Sequence, residues 1–485
     1  MTPSRISISA CLAIALLGAT SCNAPDAKQE QTTITGQVST TTWKTVVAQA
    51  AILDRLALAT KAEGEAFKQD LQGIVDWQAR LSEADRQAIA YWNDTPAAMR
   101  WSEVIRDEII RVTMFPPRAA RALALMHVAM YDALVLAEKA KAAVPRAPLS
   151  TLDSRIQSLA LAESAAGGLS EQAAVCAAAA GILSYIFTDH TADFNNKATL
   201  AATTRVAAGV NTQSEVDAGL RLGAAVAEAL IERNKADGAE KTPKLPLSHT
   251  PDQWMVEKPM EPLAGSWKTW QLESGSQFRL SAPITDPNDA NFAKQLEEVR
   301  NMPSSLTTLQ VEKVKFWNFD VPALLWDDIL RQTIKDKRAA ITTSGQEKID
   351  DLARAGVNTA QSSRVLATMH MGLADAFIAA WDTKYVVLRK RPVMLLPANF
   401  KTTFPTPPHP SYPSGHATAS AAASTILARY FPEKAGYYKD QADEAAMSRL
   451  WGGIHYRSDN DDGLILGTKV GEFHLKKGAE LGLLP

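Results

Sequence analysis

The chain is poor in the residues that most often carry metal and redox chemistry: its 485 residues include 3 cysteines and 8 histidines. So few thiols exclude a disulfide-stapled scaffold and a cysteine-rich metal fold. Charge of one sign is also missing. Lys and Arg number 51 against 53 Asp and Glu, for a net charge of -2. Neither nucleic acid nor an anionic membrane surface is therefore expected as a general partner. Beyond the N-terminus we find no run of the roughly 18 or more apolar residues that spanning a membrane requires. Period-2 strand patterns are absent as well. What remains, at 46% hydrophobic and 21% charged, is enough apolar material for one large domain or two medium ones.

The first residues read as an export signal: Arg5, an apolar run from Ile6 to Gly18, then small residues to Cys22. "ATSC" at 19–22 resembles a bacterial lipobox, in which the Cys becomes the lipidated first residue, although Ala19 stands where that pattern prefers Leu. An exported protein is expected, lipid-anchored through Cys22 at the periplasmic or outer-membrane surface, or otherwise periplasmic or secreted. Residues 23–42 are polar and suit a tether. Cys176, inside "AAVCAAAAGIL", reads as a small core residue.

The body is all-α by pattern. "SEADRQAIAYW" (82–92) opens with an N-cap Ser and an acid three residues on, and "RAARALALMHVAMYDALV" (118–135) has apolar residues at helical spacing with no Gly or Pro. Residues 170–230 match 414–474 at a constant offset of 244, with 21 of 61 pairs identical. The identities include Arg205 with Arg449, Gly209 with Gly453, Gly219 with Gly463 and Gly223 with Gly467. Upstream, "HVAMYDA" at 127 pairs with "HMGLADA" at 370. We infer two related helical bundles from an internal duplication. They are placed at 43–240 and 301–485, with 241–300, rich in Pro, Trp and Gly, as an irregular connection.

The copies differ where polar chemistry would sit. Gly415, His416, His455 and Asp459 of the second face Glu171, Gln172, Asn211 and Glu215 of the first. In "KYVVLRKRP", Lys384 and Arg391 stand seven apart, two helical turns, so both can share a helix face that Pro392 ends. "PSGH" puts the Ser414 hydroxyl and the Gly415 N–H at a helix N-terminus, where orphan N–H groups and the helix dipole favour an oxyanion. "SRLWGGIHYRSD" adds Arg449 and His455, with Asp459 four residues on, hence on one face if that stretch is helical. Together with His416 these make a cage for a phosphate-like anion.

The ordered set Lys-x6-Arg-Pro, Pro-Ser-Gly-His, Ser-Arg-x5-His-x3-Asp resembles the signature of the type 2 phosphatidic acid phosphatase (PAP2) and vanadium-dependent haloperoxidase superfamily, over about 384–459. The resemblance implies that Lys384, Arg391, Ser414, Gly415 and Arg449 bind the oxygens of phosphate or vanadate. It implies His455 as the single protein ligand of vanadium, or the nucleophile toward phosphorus, oriented by Asp459, and His416 as the apical acid/base. A cage for five-coordinate phosphorus also suits vanadate. The surroundings favour the haloperoxidase side of the family. Trp381 stands three residues before Lys384, where haloperoxidases commonly carry an aromatic residue. "FPPRAARALALMHVAMYDALV" and "PHPSYPSGHAT" are similar to the large two-bundle haloperoxidases. His409 stands seven before His416, where bromoperoxidases carry an imidazole and a chloroperoxidase a Phe.

The resemblance thus implies a vanadate-dependent enzyme that oxidises bromide or iodide with hydrogen peroxide and passes the oxidant to an organic acceptor, with no haem or flavin. Lys384, His409, His416, His455 and Trp381 would carry the chemistry. The alternative is a periplasmic acid phosphatase working through a phosphohistidine at His455. His127 and His370, each five before an Asp, read as packing or hydrogen-bonding positions, and His190, His249 and His474 fit no pattern.

Overall fold

The structure, a computed structural model, describes residues 42–484 except 57–63, 162–166, 246–248 and 287. The export signal, lipobox and all but the last residue of the tether lie outside the described residues. Regular structure among the described residues is helical, with one isolated bridge between Arg146 and Gly167.

Among the described residues, fourteen helices of 11 or more residues form two sets of seven, and the ten-residue helix Gly345–Arg354 of the second half has no counterpart in the first. The first set is α1 (Glu65–Gln78), α2 (Glu83–Asn93), α3 (Ala97–Arg111), α4 (Pro116–Ala143), α5 (Glu171–Ile186), α6 (Thr191–Ala207) and α7 (Gln213–Lys235). The second is α8 (Ala290–Asn301), α9 (Thr308–Phe319), α10 (Pro322–Ala339), α11 (Thr359–Val387), α12 (Gly415–Tyr430), α13 (Ala435–Trp451) and α14 (Arg457–Leu481). Each helix of the first set has its counterpart seven places later. The offset of 244 carries α5 and α6 onto α12 and α13 end to end, and the start of α7 onto the start of α14. The duplication is therefore structural, down to the cap residues: Ser170 and Ser414 each accept a bond from the backbone N–H three residues on.

The repeated glycines have a packing cause. A Cβ on Gly223 would come within 2.1 Å of the Ala174 carbonyl, and one on Gly467 within 2.1 Å of the Thr418 carbonyl, because α7 and α14 cross their partner helices backbone to backbone. Gly209 and Gly453, at φ 69° and 75°, turn the chain out of α6 and α13 in a conformation that side chains resist.

The core lies between α4 and α11, which pack on each other and are buried for most of their length. α4 corrects the sequence reading of membrane potential: it is long and apolar enough to cross a bilayer, yet 94% of its most apolar window is buried inside the protein. Its hydrophobicity serves a core that is apolar all round.

The stretch 241–300 also differs from the irregular connection expected. Its last residues form α8, and residues 267–272 repeat an N-terminal device. Asp132 of α4 accepts the backbone N–H groups of Val46, Val47 and Ala48 at 2.6–2.8 Å. Asp375 of α11 accepts those of Trp270, Gln271 and Leu272 at 2.7–3.1 Å. Each such segment begins with Trp-Lys-Thr, at 43 and at 267. Each Trp lies under an Arg of the opposite copy's long helix, Arg364 at 4.2 Å over Trp43 and Arg121 at 5.9 Å over Trp267. The exchange ties the halves together.

His127 and His370 meet where α4 crosses α11. Their rings stack at 4.4 Å with planes 7° apart, and His370 Nε2 is 3.0 Å from Asp327. Near-parallel rings leave no point at which one ion could meet both lone pairs in plane, and Arg331 already holds Asp327 at 2.7 Å. They are packing and hydrogen-bonding positions. His190 bonds Glu108 and His474 bonds Asp375, while Cys176 is buried as a free thiol.

Candidate active site

A cavity of about 490 Å³ opens at the N-terminal end of α12. Trp381, Arg391, His409, Gly415, His416, Arg449 and His455 line it. Lys384, Ser414 and Asp459 stand directly behind that lining, all buried. The ten residues singled out in the sequence are thus assembled at one place, from α11, the loop after it, α12, α13 and the start of α14.

Two local expectations were wrong in mechanism though right in outcome. α11 does not run through Arg391. It stops at Val387, where Leu388 adopts a left-handed conformation and its N–H returns to the Lys384 carbonyl at 2.8 Å. Arg391 then reaches the cavity from an extended segment, opposite Lys384. Nor do His455 and Asp459 share a helix face. His455 lies in the turn before α14 and Asp459 is in its first turn, so the pair meets across the helix entrance.

The resulting geometry specifies a tautomer. His455 Nδ1 is 2.9 Å from Asp459 Oδ2, and a carboxylate can only accept, so Nδ1 carries the proton. Nε2 keeps its lone pair, turned into the cavity, where it accepts from Arg391 Nη1 at 2.9 Å. Asp459 is itself held by Arg389 Nη1 at 2.7 Å, the Ser411 hydroxyl at 2.5 Å and the Tyr456 N–H at 3.1 Å. Burial would raise that carboxyl, but Arg389, His455 and Ser411 hold it well below the usual range. Burial, then the Arg391 charge, pushes His455 well below an ordinary imidazole.

On the other side, His416 Nε2 faces the Trp317 carbonyl at 3.0 Å and Arg449 Nη1 at 2.8 Å. His409 packs on Trp381, ring centres 4.9 Å apart, with Nδ1 3.0 Å from Arg391 Nη2. Lys384 Nζ donates to the carbonyls of Pro410 at 2.8 Å and Ser411 at 3.0 Å, and also to that of Pro413.

The site's electrostatics are one-sided. Burial pulls Arg391 down to about 10, burial with the Arg391 charge pulls Arg449 to about 9, and the same pair of causes pushes Lys384 well below an ordinary lysine. Nε and Nη2 of Arg449 are buried with no hydrogen-bond partner. Asp459, hydrogen-bonded to Arg389 and His455, offsets the burial of Lys384 and Arg391 only in part. Buried cations without a counter-charge are costly, and an oxyanion among them would remove that cost.

Residues 365–475 match the PAP2 superfamily. This chain carries a PAP2 superfamily domain. The vanadium chloroperoxidase of Curvularia inaequalis is 29% identical over 161 residues, covering 28% of this chain and 25% of that enzyme's length. The fold extends the likeness well beyond the PAP2 segment. A bacterial vanadium-dependent iodoperoxidase superimposes over 79% of this chain and 97% of its own, with TM-score 0.59 and 22% identity. A bacterial vanadium-dependent chloroperoxidase in its holo form covers 76% and 93%, with TM-score 0.53 and 15% identity. The chain thus has the all-α, two-bundle fold of the vanadium haloperoxidases.

Sequence reasoning missed three contributors to the PAP2 site. Arg389, which anchors Asp459, was legible as the partner of Arg146 in the first copy, just as Lys384 partners Lys141. Phe404 lies 4.6 Å beneath the Arg449 guanidinium and left no sequence signal. The cavity's far wall comes from the first copy, through Ile109, Ile110, Thr113, Met114 and Pro116.

The first copy's own position, Asn211, cannot substitute for His455, because an amide nitrogen has no free lone pair. Its Nδ2 donates to Gly168 at 2.8 Å and Glu215 at 3.2 Å, and its Oδ1 accepts from Arg205 at 3.3 Å. Asn211→Ala should therefore cost about 1–3 kcal/mol in urea unfolding and leave enzymatic turnover within twofold. A loss of turnover matching that of His455→Ala in the folded variant would give this copy a catalytic part.

Proposed function

We propose that the protein is a vanadate-dependent haloperoxidase that oxidises iodide or bromide with hydrogen peroxide to the hypohalous acid. The observation that carries this reading is the buried set of Lys384, Arg391 and Arg449, whose hydrogen bonds go to carbonyls and imidazoles, around His455 Nε2, whose lone pair faces Arg391 in the cavity. That donor set fits a tetrahedral oxyanion whose central atom accepts one neutral nitrogen. Arg391, Arg449, Lys384, Ser414 and the Gly415 N–H would hold the oxygens and His455 the vanadium.

When bound, vanadate supplies a Lewis acid that activates peroxide toward two-electron oxidation without changing its own oxidation state. The chain's residues do the rest. Asp459 would hold the Nδ1 proton of His455, Arg391 and Arg449 would neutralise the anion, and His416, on the cavity lining, would move the proton. Hypohalous acid and water form from peroxide, halide and one proton, so a proton donor is required. The apolar wall and Trp381 exclude bulk water. Their pairing with His409 favours the softer halides over chloride.

We read residues 43–240 as scaffold and cavity wall, 301–485 as the reacting half, and the chain as exported and lipid-anchored at Cys22. The test is reconstitution with orthovanadate followed by peroxide-dependent halogenation of monochlorodimedone, comparing iodide, bromide and chloride. Vanadate should switch activity on, with chloride poorest. No halogenation with any halide, alongside rapid p-nitrophenyl phosphate hydrolysis by the vanadate-free protein, would replace this reading with the acid phosphatase.

A further inference from the structure

The first copy keeps most of a second oxyanion cradle. Lys141 occupies the place of Lys384, Arg146 that of Arg389, Ser170 that of Ser414, Arg205 that of Arg449 and Glu215 that of Asp459. All five are buried. Arg146 grips Glu215 with bonds of 2.6 and 2.7 Å, as Arg389 grips Asp459.

Two neighbouring positions have changed, and both became carboxylates aimed at the same ammonium. Glu171 replaces Gly415 and lies 3.1 Å from Lys141 Nζ. Glu138 replaces Trp381 and lies 3.2 Å from it. Burial alone would depress Lys141 as it depresses Lys384, yet Lys141 is raised, because Glu171 and Glu138 outweigh desolvation. Glu171 is lowered against its own burial by Lys141 and then Arg205, the counterparts of two cations of the catalytic cage. In the second copy a Cβ on Gly415 would crowd the Trp381 ring at 3.1 Å, so a larger side chain there would have to displace it. In the first copy the long Glu171 side chain reaches into the space that glycine leaves open.

We propose that the first half contains a second tetrahedral-oxyanion cradle whose resident anion is the Glu171 carboxylate, and that removing this side chain converts it into a binding site for the phosphate class of oxyanion. The cradle lacks a counterpart of Arg391, Pro148 standing there, and has Asn211 for His455, so it would bind and not react. Nothing in this inference depends on what the other site catalyses.

The experiment is equilibrium dialysis of the full chain with radiolabelled inorganic phosphate, wild type against Glu171→Gly. The variant should bind one more phosphate per chain than wild type, whatever number wild type binds. Adding Lys141→Ala should erase the increment. The variant's melting temperature should also rise with phosphate by more than wild type's. A folded Glu171→Gly that takes up no additional phosphate, or an increment that survives Lys141→Ala, overturns the proposal. If Glu171→Gly does not fold in chloride buffer, phosphate at equal ionic strength should restore folding, and failure to do so overturns it equally. Because the readout is a difference in stoichiometry, loss of the haloperoxidase reading leaves it intact.

Discussion

His455→Ala should abolish halogenation at saturating vanadate, while the folded variant still binds phosphate. His455 Nδ1 is committed to Asp459 at 2.9 Å, so Nε2 turns its lone pair into the cage, where it accepts from Arg391. The cations that would attract an oxyanion are independent of it, so anion affinity should survive the change even as reactivity disappears. Asp459→Asn should give a graded version. The amide no longer fixes the Nδ1–H tautomer and leaves Arg389 without its carboxylate, so vanadate affinity should fall about 10–100-fold. Vanadate titration with halogenation as readout, beside phosphate protection against thermal unfolding, separates the two effects. Full halogenation by a folded His455→Ala variant would remove His455 from the reaction.

Acidifying the anion-free protein should unfold it steeply just below pH 6.5. His127, His409, His416 and His455 are each held well below the ordinary imidazole value, by burial first and then by neighbouring positive charge. A group depressed in the folded state contributes stability above its unfolded value of about 6.5 and loses it as pH falls. Unfolded, all four would take up a proton that the folded protein refuses. Asp132 acts in the opposite sense, because burial pushes it up to about 6 and the folded chain gains a proton there. Asp320, Asp328 and Asp461 are raised by burial as well, but the four buried imidazoles dominate above pH 5, so stability should fall as the pH is lowered from 6.5. Urea denaturation between pH 7 and 5 tests it. A flat profile would mean that these rings are already charged in the folded protein. Phosphate should blunt the loss by neutralising the cations that face His409, His416 and His455.

Much of this protein is set by local pattern. Helical periodicity specified the all-α class, since an apolar stripe at 3.6-residue spacing can be buried only one way. The gap-free offset between 170–230 and 414–474 identified the duplication. The spaced motif brought together Lys384, Arg391, Ser414, His416, Arg449 and His455 before any fold was known. The Trp-Lys-Thr repeat at 43 and 267 stands in the sequence too, but its meaning emerges only with the hydrogen bonds to Asp132 and Asp375.

Tertiary structure decided what spacing could not. Four-residue spacing suggested a shared helix face for His455 and Asp459, but the helix begins between them and the contact is made across its cap. The apolar length of α4 would suit a membrane span, and only its packing shows that this surface is buried inside the protein. Above all, Lys141 and Lys384 are the same residue type at equivalent positions, yet one is neutralised by Glu138 and Glu171 and the other has only carbonyls. The physical reason is common to all three. Helical periodicity depends on residues three and four apart, whereas the energy of a buried charge depends on partners that arrive from anywhere in the chain, and only the folded packing says which ones do.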